Sequence, residues 1–476
     1  MGRFFLADKV HNWNNANFVL LIQQNCLHLV TERKLNSKIT IMKYQPKFID
    51  TQQLNTSLNK DDLILIDIRP IAAYNGWKLR NESRGGHIKG ATTVPIKWTK
   101  YIDFKDVLNT KGISTEKSLV IYGYDSEDAE WLAKKLMQSG YEDVSVYHKF
   151  LDEWVSNPEL PMDRLERYQQ LVYPEWMDSL IKGQNPSHYD GSNYVICHSH
   201  YGYEKDYEQG HIPGAIPLNT NDLEDELTWN RRSPEELKNT LLQHGITKDS
   251  TVIVYGRFSY PDNRDAYPGQ AAGHLGAIRC AAIMLYAGVK DVKILNGGLS
   301  AWKEAGYELT TEKTEVKPVY NFGAEIPGRP DIFVDTPKAK ELLSSDDGEL
   351  VSIRSWEEFI GNVSGYNYIE KTGRIPGAIF GNCGSDAYHM ENYRNLDHTM
   401  RDFHEIEANW AENGITPDKH IAFYCGTGWR GSEAFMNAYL MGWPRVSVYD
   451  GGWFEWSNDP SNPIEKGEPA KTVAGR

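Results

Sequence analysis

The sequence predicts an α/β protein of three tandem modules, each a parallel sheet flanked by helices. Three observations carry that prediction: a set of landmarks repeated three times, short apolar runs alternating with helical patterns, and a length of 476 residues that suits two to four domains. The first landmark is a turn, Gly86-His87-Ile88-Lys89-Gly90-Ala91, which returns as Gly210-His211-Ile212-Pro213-Gly214-Ala215 and as Gly373-Arg374-Ile375-Pro376-Gly377-Ala378. The second is Gly-Ile-Ser/Thr at Gly112, Gly245 and Gly414. The third lies eleven positions after each of those glycines and ends an apolar run: LVIYG at Gly123, VIVYG at Gly256 and IAFYC at Cys425. A tryptophan closes each copy, at Trp154, Trp302 and Trp456.

Leu63 to Asp67, Val252 to Tyr255 and Ile421 to Tyr424 are continuous apolar runs of strand length. Such runs suit parallel strands covered on both faces, not the alternating pattern of a half-exposed sheet. Helical patterns follow at Ala129 to Met137 and Gly431 to Leu440, and then further strands at Val144 to Tyr147 and Val446 to Tyr449. Strand, helix, strand in repetition gives βαβ units and therefore parallel sheets.

Polar and proline-rich stretches set the expected boundaries. They give an N-terminal extension over 1–45, modules over 46–158, 170–312 and 330–462, and a loose tail over 463–476. In the extension, the apolar run Phe18 to Ile22 is interrupted by Gln23-Gln24-Asn25, too short for a secretory core or a membrane span. Met42, just upstream of the globular pattern, is an alternative translation start. A cytoplasmic location is expected, with the periplasm as the alternative.

Charge and cysteine content narrow the partners. A net charge of -14 without a long Lys/Arg run argues against nucleic acid. The five cysteines, Cys26, Cys197, Cys280, Cys383 and Cys425, are widely spaced with no CxxC pair. Neither a zinc site nor a disulfide framework is expected, and a free thiol is. Cys197, Cys280 and Cys383 are expected to be buried structural thiols, with Cys383 following the third-module turn. His87 and His211 are expected to bond within their turns.

Cys425 is the exception. Open parallel sheets place ligands where a strand ends and a helix begins, and that junction reads Cys425-Gly426-Thr427-Gly428-Trp429-Arg430. The glycines let the backbone curl so that amides surround the sulfur, and the helix N-terminus adds positive potential. Together with Arg430 they are expected to favour a thiolate. Gly123 and Gly256 occupy the equivalent positions in the other modules, so modules one and two are expected to be inactive.

The Gly-His-Ile-Pro-Gly-Ala turn, the strand-end cysteine in a short loop and the Gly-Gly-x-x-x-Trp close resemble the rhodanese family, from about Phe48 to Trp456. The three-module layout is most similar to bacterial thiosulfate sulfurtransferases of that family. The resemblance implies a ping-pong reaction without cofactor or metal. Cys425 would take a sulfane sulfur from a small donor such as thiosulfate and pass it as a persulfide to cyanide or a thiol. Gly426, Thr427, Gly428, Trp429, Arg430 and Arg354 would bind substrate. A 3-mercaptopyruvate donor, or a relay taking persulfide from a protein such as a cysteine desulfurase, are the alternatives.

Two departures from the family stand out. Module one keeps an Asp-x-Arg strand end, Asp67-Ile68-Arg69, whereas module three reads Ser352-Ile353-Arg354. Where two-domain relatives place a substrate-binding arginine, this chain has Glu358. Arg354 therefore has a structural reading beside the functional one, and Trp429 either walls the pocket or packs on its helix. A phosphatase on this fold would use Cys-x5-Arg, a longer loop than the one here.

Overall fold

The computed structural model describes residues 44–202, 204–258 and 273–469. Met42, Cys26 and all but the last two residues of the expected extension lie outside them. The chain divides into two compact units, one of residues 1–71, 81–84 and 88–162, the other of 72–80, 85–87 and 163–476.

The first unit holds one sheet, built from β1 (Lys47–Phe48), β2 (Leu63–Asp67), β3 (Ala91–Thr93), β4 (Ser118–Tyr122) and β5 (Val144–Tyr147). Its order is β1-β5-β4-β2-β3, and every pairing is parallel. Helix α1 (Ser126–Gln138) follows β4 and buries Ala129, Leu132, Ala133 and Leu136, one stripe at helical spacing.

The second unit repeats that sheet twice. Strands β6 (Leu171–Val172), β7 (Tyr194–His200), β8 (Ala215–Asn219), β9 (Thr251–Tyr255) and β10 (Asp291–Leu295) pair in the order β6-β10-β9-β7-β8. Strands β11 (Phe333–Val334), β12 (Gly348–Ser352), β13 (Ile379–Phe380), β14 (His420–Tyr424) and β15 (Val446–Tyr449) pair as β11-β15-β14-β12-β13. The expected architecture of three α/β repeats is present, with identical strand order in each.

The landmarks are the joints of the repeat. In the first two modules the strand-end tyrosine anchors the turn: Ile88 N–H donates to the Tyr122 hydroxyl at 3.0 Å and Ile212 N–H to that of Tyr255 at 2.9 Å. The turn's second glycine is left-handed in all three copies, with φ of 84° at Gly90, 80° at Gly214 and 81° at Gly377. Each closing tryptophan is buried and donates its indole N–H to a carbonyl beyond its own helix, Trp154 to Pro161, Trp302 to Glu308 and Trp456 to Pro463. As expected, the turn histidines bond locally, His87 to the Tyr74 carbonyl and His211 to that of Tyr207.

Helix α3 (Phe403–Ala411) precedes β14. Helix α2 (Gly273–Ala287) is buried along its whole length, because β7 covers one side and α4 (Trp429–Leu440), the helix that leaves Cys425, packs on it as well. The second and third modules therefore share a core at the Cys425 loop.

Residues 463–467 are bonded to the third module's turn, as Thr310 is to His211 in module two. Arg374 and Glu465 exchange backbone hydrogen bonds at 2.9 and 3.1 Å, and the buried guanidinium donates to the Gly467 carbonyl at 2.5 Å.

Gly256 and Gly123 differ in what surrounds them. A β-carbon on Gly256 would lie 2.3 Å from the Gly273 carbonyl oxygen, which is rigid backbone, whereas one on Gly123 would meet only the flexible Ile68 side chain, at 2.6 Å. Gly256→Ala is expected to destabilise the protein by about 1–3 kcal/mol and Gly123→Ala by less. Urea denaturation of both variants checks the ranking, and equal costs would refute it.

Candidate active site

Cys425 follows β14 directly, and its sulfur sits where sheet, loop and helix α4 converge; the residue is 1% exposed. Two carbonyls of the loop are pinned from behind. Trp453 N–H donates to the Cys425 carbonyl at 2.8 Å and Phe454 N–H to that of Gly426 at 2.9 Å, both from α5 (Gly452–Asn458). Among the described residues no protein carbonyl takes the amides of Gly426, Thr427 or Gly428, which leaves them for an anion held at the loop.

The loop glycines are demanded by their neighbours. A β-carbon on Gly426 would lie 2.3 Å from the Tyr366 ring. Gly428 caps α4 in the left-handed region at φ 93°, with the Arg279 guanidinium 3.0 Å from where its β-carbon would be. Thr427 is buried, with the Tyr368 hydroxyl nearby.

Arg430 and Arg354, both expected to bind substrate, have buried guanidiniums that bond to groups of the protein. Arg430 forms two bonds of 2.9 Å to the two oxygens of Glu358, and donates to the Tyr366 hydroxyl at 2.5 Å and to Cys383 Sγ at 3.0 Å. Arg354 donates to Glu358 Oε1 at 3.2 Å, the Gly373 carbonyl at 2.7 Å and the Ser364 carbonyl at 3.2 Å. Arg430 therefore presents an oriented tyrosine to the site in place of a free positive charge.

Glu358 is the residue that sequence reasoning misread, noting it only as a missing arginine. The readable signal was Ser355-x-x-Glu358, a capping box. Ser355 N–H and Oγ–H donate to Glu358 Oε2 at 3.0 and 2.9 Å, which fixes the carboxylate between the two arginines. In module one Arg69 instead pairs with Asp67, at 2.6 Å. The third module lost that aspartate, and Glu358 replaces its charge.

Burial pushes the Glu358 carboxyl up, but the adjacent Arg430 charge and its hydrogen bonds outweigh that and leave it at about 2. Cys383 does lie beside this network, and burial pushes its thiol up to about 11. Cys197 is likewise pushed up to about 12 by burial, which fits the expected inert thiol.

Trp429 faces the second module. Its indole N–H donates to Glu224 Oε2 at 2.8 Å, and its ring meets that of Tyr201 edge-on at 5.5 Å. Glu224 also accepts from Arg279 Nε at 2.6 Å, and Arg279 donates to Asp450 Oδ1 at 2.5 Å, so one buried arginine ties module two to module three. Burial raises Glu224 to about 7 against these partners. Sequence reasoning missed Glu224, Arg279, Trp229, Tyr366 and Tyr368, because all of them are distant in the chain from Cys425.

Among the described residues, His87, Asp163 and His404 bring ligand atoms within 4.8 Å of one another, a spacing open to a metal ion; none of them belongs to the Cys425 loop.

The rhodanese-like domain family matches residues 50–157, 201–305 and 335–459, one match per module. The chain belongs to the rhodanese family. Thiosulfate sulfurtransferase YnjE of Escherichia coli (strain K12) is 41% identical over 409 residues, covering 85% of this chain and 89% of YnjE. Among solved structures, wild-type EanB is 55% identical with a TM-score of 0.88, covering 90% of this rhodanese and 99% of that chain. A persulfide-bearing EanB variant, in a tetrahedral intermediate state with ergothioneine, is 55% identical with a TM-score of 0.87 and covers 89% and 100%. This rhodanese is a sulfurtransferase. No helix among its described residues is long and apolar enough to cross a membrane.

The buried Glu358 pairing gives a sign-definite expectation. Its folded value lies below the unfolded 4.5, so its stabilisation is present above that pH and is lost as pH falls toward 2. Glu358→Gln leaves two buried guanidiniums short of a counter-charge and is expected to cost about 3–5 kcal/mol at neutral pH. The difference from wild type should shrink between pH 4.5 and 2 in denaturation monitored by tryptophan fluorescence. A pH-independent difference would place the cost elsewhere.

Proposed function

We propose that Cys425 carries a persulfide and passes its outer sulfur to the imidazole ring of a betaine of the hercynine type. The supporting observation is a set of residues shared in kind and spacing with EanB. The tyrosine, persulfide cysteine and threonine named in the EanB structures with hercynine and ergothioneine have the same sequence spacing as Tyr366, Cys425 and Thr427 here. Those three side chains gather at one loop of this chain.

In the loading step the Cys425 thiolate attacks the sulfane sulfur of the donor. With thiosulfate, the new S–S bond forms as the old one breaks, and sulfite departs with the electron pair. In the transfer step the ring carbon between the two imidazole nitrogens bonds to the outer sulfur. The S–S bond breaks toward Cys425 Sγ, and the ring C–H proton is released. The acceptor carbon is oxidised by two electrons, the sulfane sulfur is reduced by two, and Cys425 returns as a thiol.

The chain's own residues suit that step. Burial raises Tyr366 well above the ordinary tyrosine range, so it stays a neutral hydroxyl. Its oxygen already accepts from Arg430, which leaves its proton to donate to a ring nitrogen. Thr427 offers a second hydroxyl beside the sulfur. The free loop amides suit the negative charge that returns to Cys425 Sγ.

YnjE, at 41% identity, favours a second reading, thiosulfate sulfur passed to cyanide or a thiol. The two readings share the loading step and part at the acceptor. The experiment supplies thiosulfate or polysulfide with hercynine or cyanide and follows products by mass spectrometry. Ergothioneine is expected from hercynine with the wild type, and none above background with Cys425→Ser. Turnover of cyanide without any turnover of hercynine would reject the imidazole acceptor and leave the thiosulfate:cyanide reading.

A further inference from the structure

The second module lacks the sulfur-bearing residue, yet one of its side chains stands at the edge of the third module's loop. Trp229 has φ 57°, in the left-handed region. Of the five non-glycine residues described there, the others are asparagine or histidine, and a bulky aromatic is the rare case. Its ring stacks on Tyr368, with centroids 4.5 Å apart and planes at 30°, and meets Phe454 edge-on at 5.2 Å and 89°. Tyr368 in turn packs on Tyr366, with ring centroids 5.1 Å apart, and the Tyr366 ring lies against Gly426 of the loop.

The conformation is enforced from both modules. Arg279 donates to the Trp229 carbonyl at 3.1 Å while it bridges Glu224 and Asp450. Asp225 Oδ1 accepts from the amides of Leu227 and Thr228 at 3.0 and 2.9 Å, and Trp229 N–H donates to the Asp225 carbonyl at 2.8 Å. Asn230 donates to Glu455 at 2.8 Å. A side chain held in an unfavourable conformation by so many bonds, against an aromatic that touches the loop, points to a function for its position.

We infer that Trp229 is a specificity-determining residue of the acceptor site, forming with Tyr368 and Phe454 an aromatic corner that holds the acceptor's quaternary ammonium group. This rests on the acceptor reading above. Aromatic faces attract onium ions through the ring quadrupole, and Tyr368 keeps 39% of its surface exposed while Trp229 is half-buried. Behind the corner, the carboxylates of Asp335 and Asp450 pair with the guanidiniums of Arg231 and Arg279, and Glu455 accepts from Asn230. The second module thereby helps choose the acceptor while the third supplies the sulfur.

The test compares hercynine with histidine, which has the same imidazole ring but a primary amine in place of the trimethylammonium group. Ergothioneine formation and the corresponding thiolation of histidine are measured for wild type, Trp229→Phe and Trp229→Ala, each as kcat/KM. The wild type is expected to prefer hercynine. Trp229→Ala should lower the hercynine-to-histidine ratio about tenfold, mainly through KM for hercynine, and Trp229→Phe should keep most of it. A general folding defect lowers both substrates together and leaves the ratio intact, so an unchanged ratio in Trp229→Ala overturns the assignment. A wild type that makes no ergothioneine overturns it too, but by a distinct result: the acceptor reading itself has then failed.

Discussion

Glu358 is fully buried and holds two fully buried arginines, Arg354 and Arg430, one on each side. A lone charge in such a place is costly, and a pair repays that cost only when its geometry is good and its remaining donors are satisfied. Here Ser355 fixes the carboxylate, and Gly373 and Ser364 carbonyls take the other Arg354 donors. The result is a rigid post behind the Cys425 loop. Arg430 extends from it to the hydroxyl of Tyr366, and the Tyr366 ring lies so close to Gly426 that no side chain fits there. The position of the tyrosine over the loop is thus set by an ion pair that never meets solvent.

A third buried arginine plays the corresponding part on the other side of the loop. Arg279 belongs to a helix with no exposed face, and its charge is met by Glu224 of its own module and Asp450 of the next. It also fills the space beside Gly428. The loop is therefore confined from within its module by Tyr366 and from the neighbouring module by Arg279. A module that carries glycine at the cysteine position thus still shapes the Cys425 loop.

Much of this was legible in the sequence. The repeat was, because turns, strand ends and closing tryptophans recur in one order, with eleven positions kept from each Gly-Ile-Ser/Thr glycine to its strand end. The Cys425 loop was, because strand, glycine and helix signals are adjacent in the chain. The roles of Arg430 and Arg354 were not. A positive residue beside a cysteine suggests an anion site, but whether its charge is free depends on Glu358, which lies 72 positions from Arg430 in sequence. The capping-box spacing of Ser355 and Glu358 marks only the start of a helix, and nothing local indicates which arginines the carboxylate faces. The contribution of Trp229 was equally hidden, since it depends on how two modules pack.

Burial also bears on the size of the partners. Cys425 is 1% exposed, and its loop is overlooked by Tyr366 and Tyr368. For a cysteine on another protein to exchange persulfide here, its sulfur would have to come in line with Cys425 Sγ past these rings, carrying its own backbone with it. A small donor needs no such opening, and a flat ring is the shape that two neighbouring aromatic side chains accommodate at least cost. On the reading proposed above, the burial of Cys425 suits small-molecule exchange at the sulfur better than a protein relay.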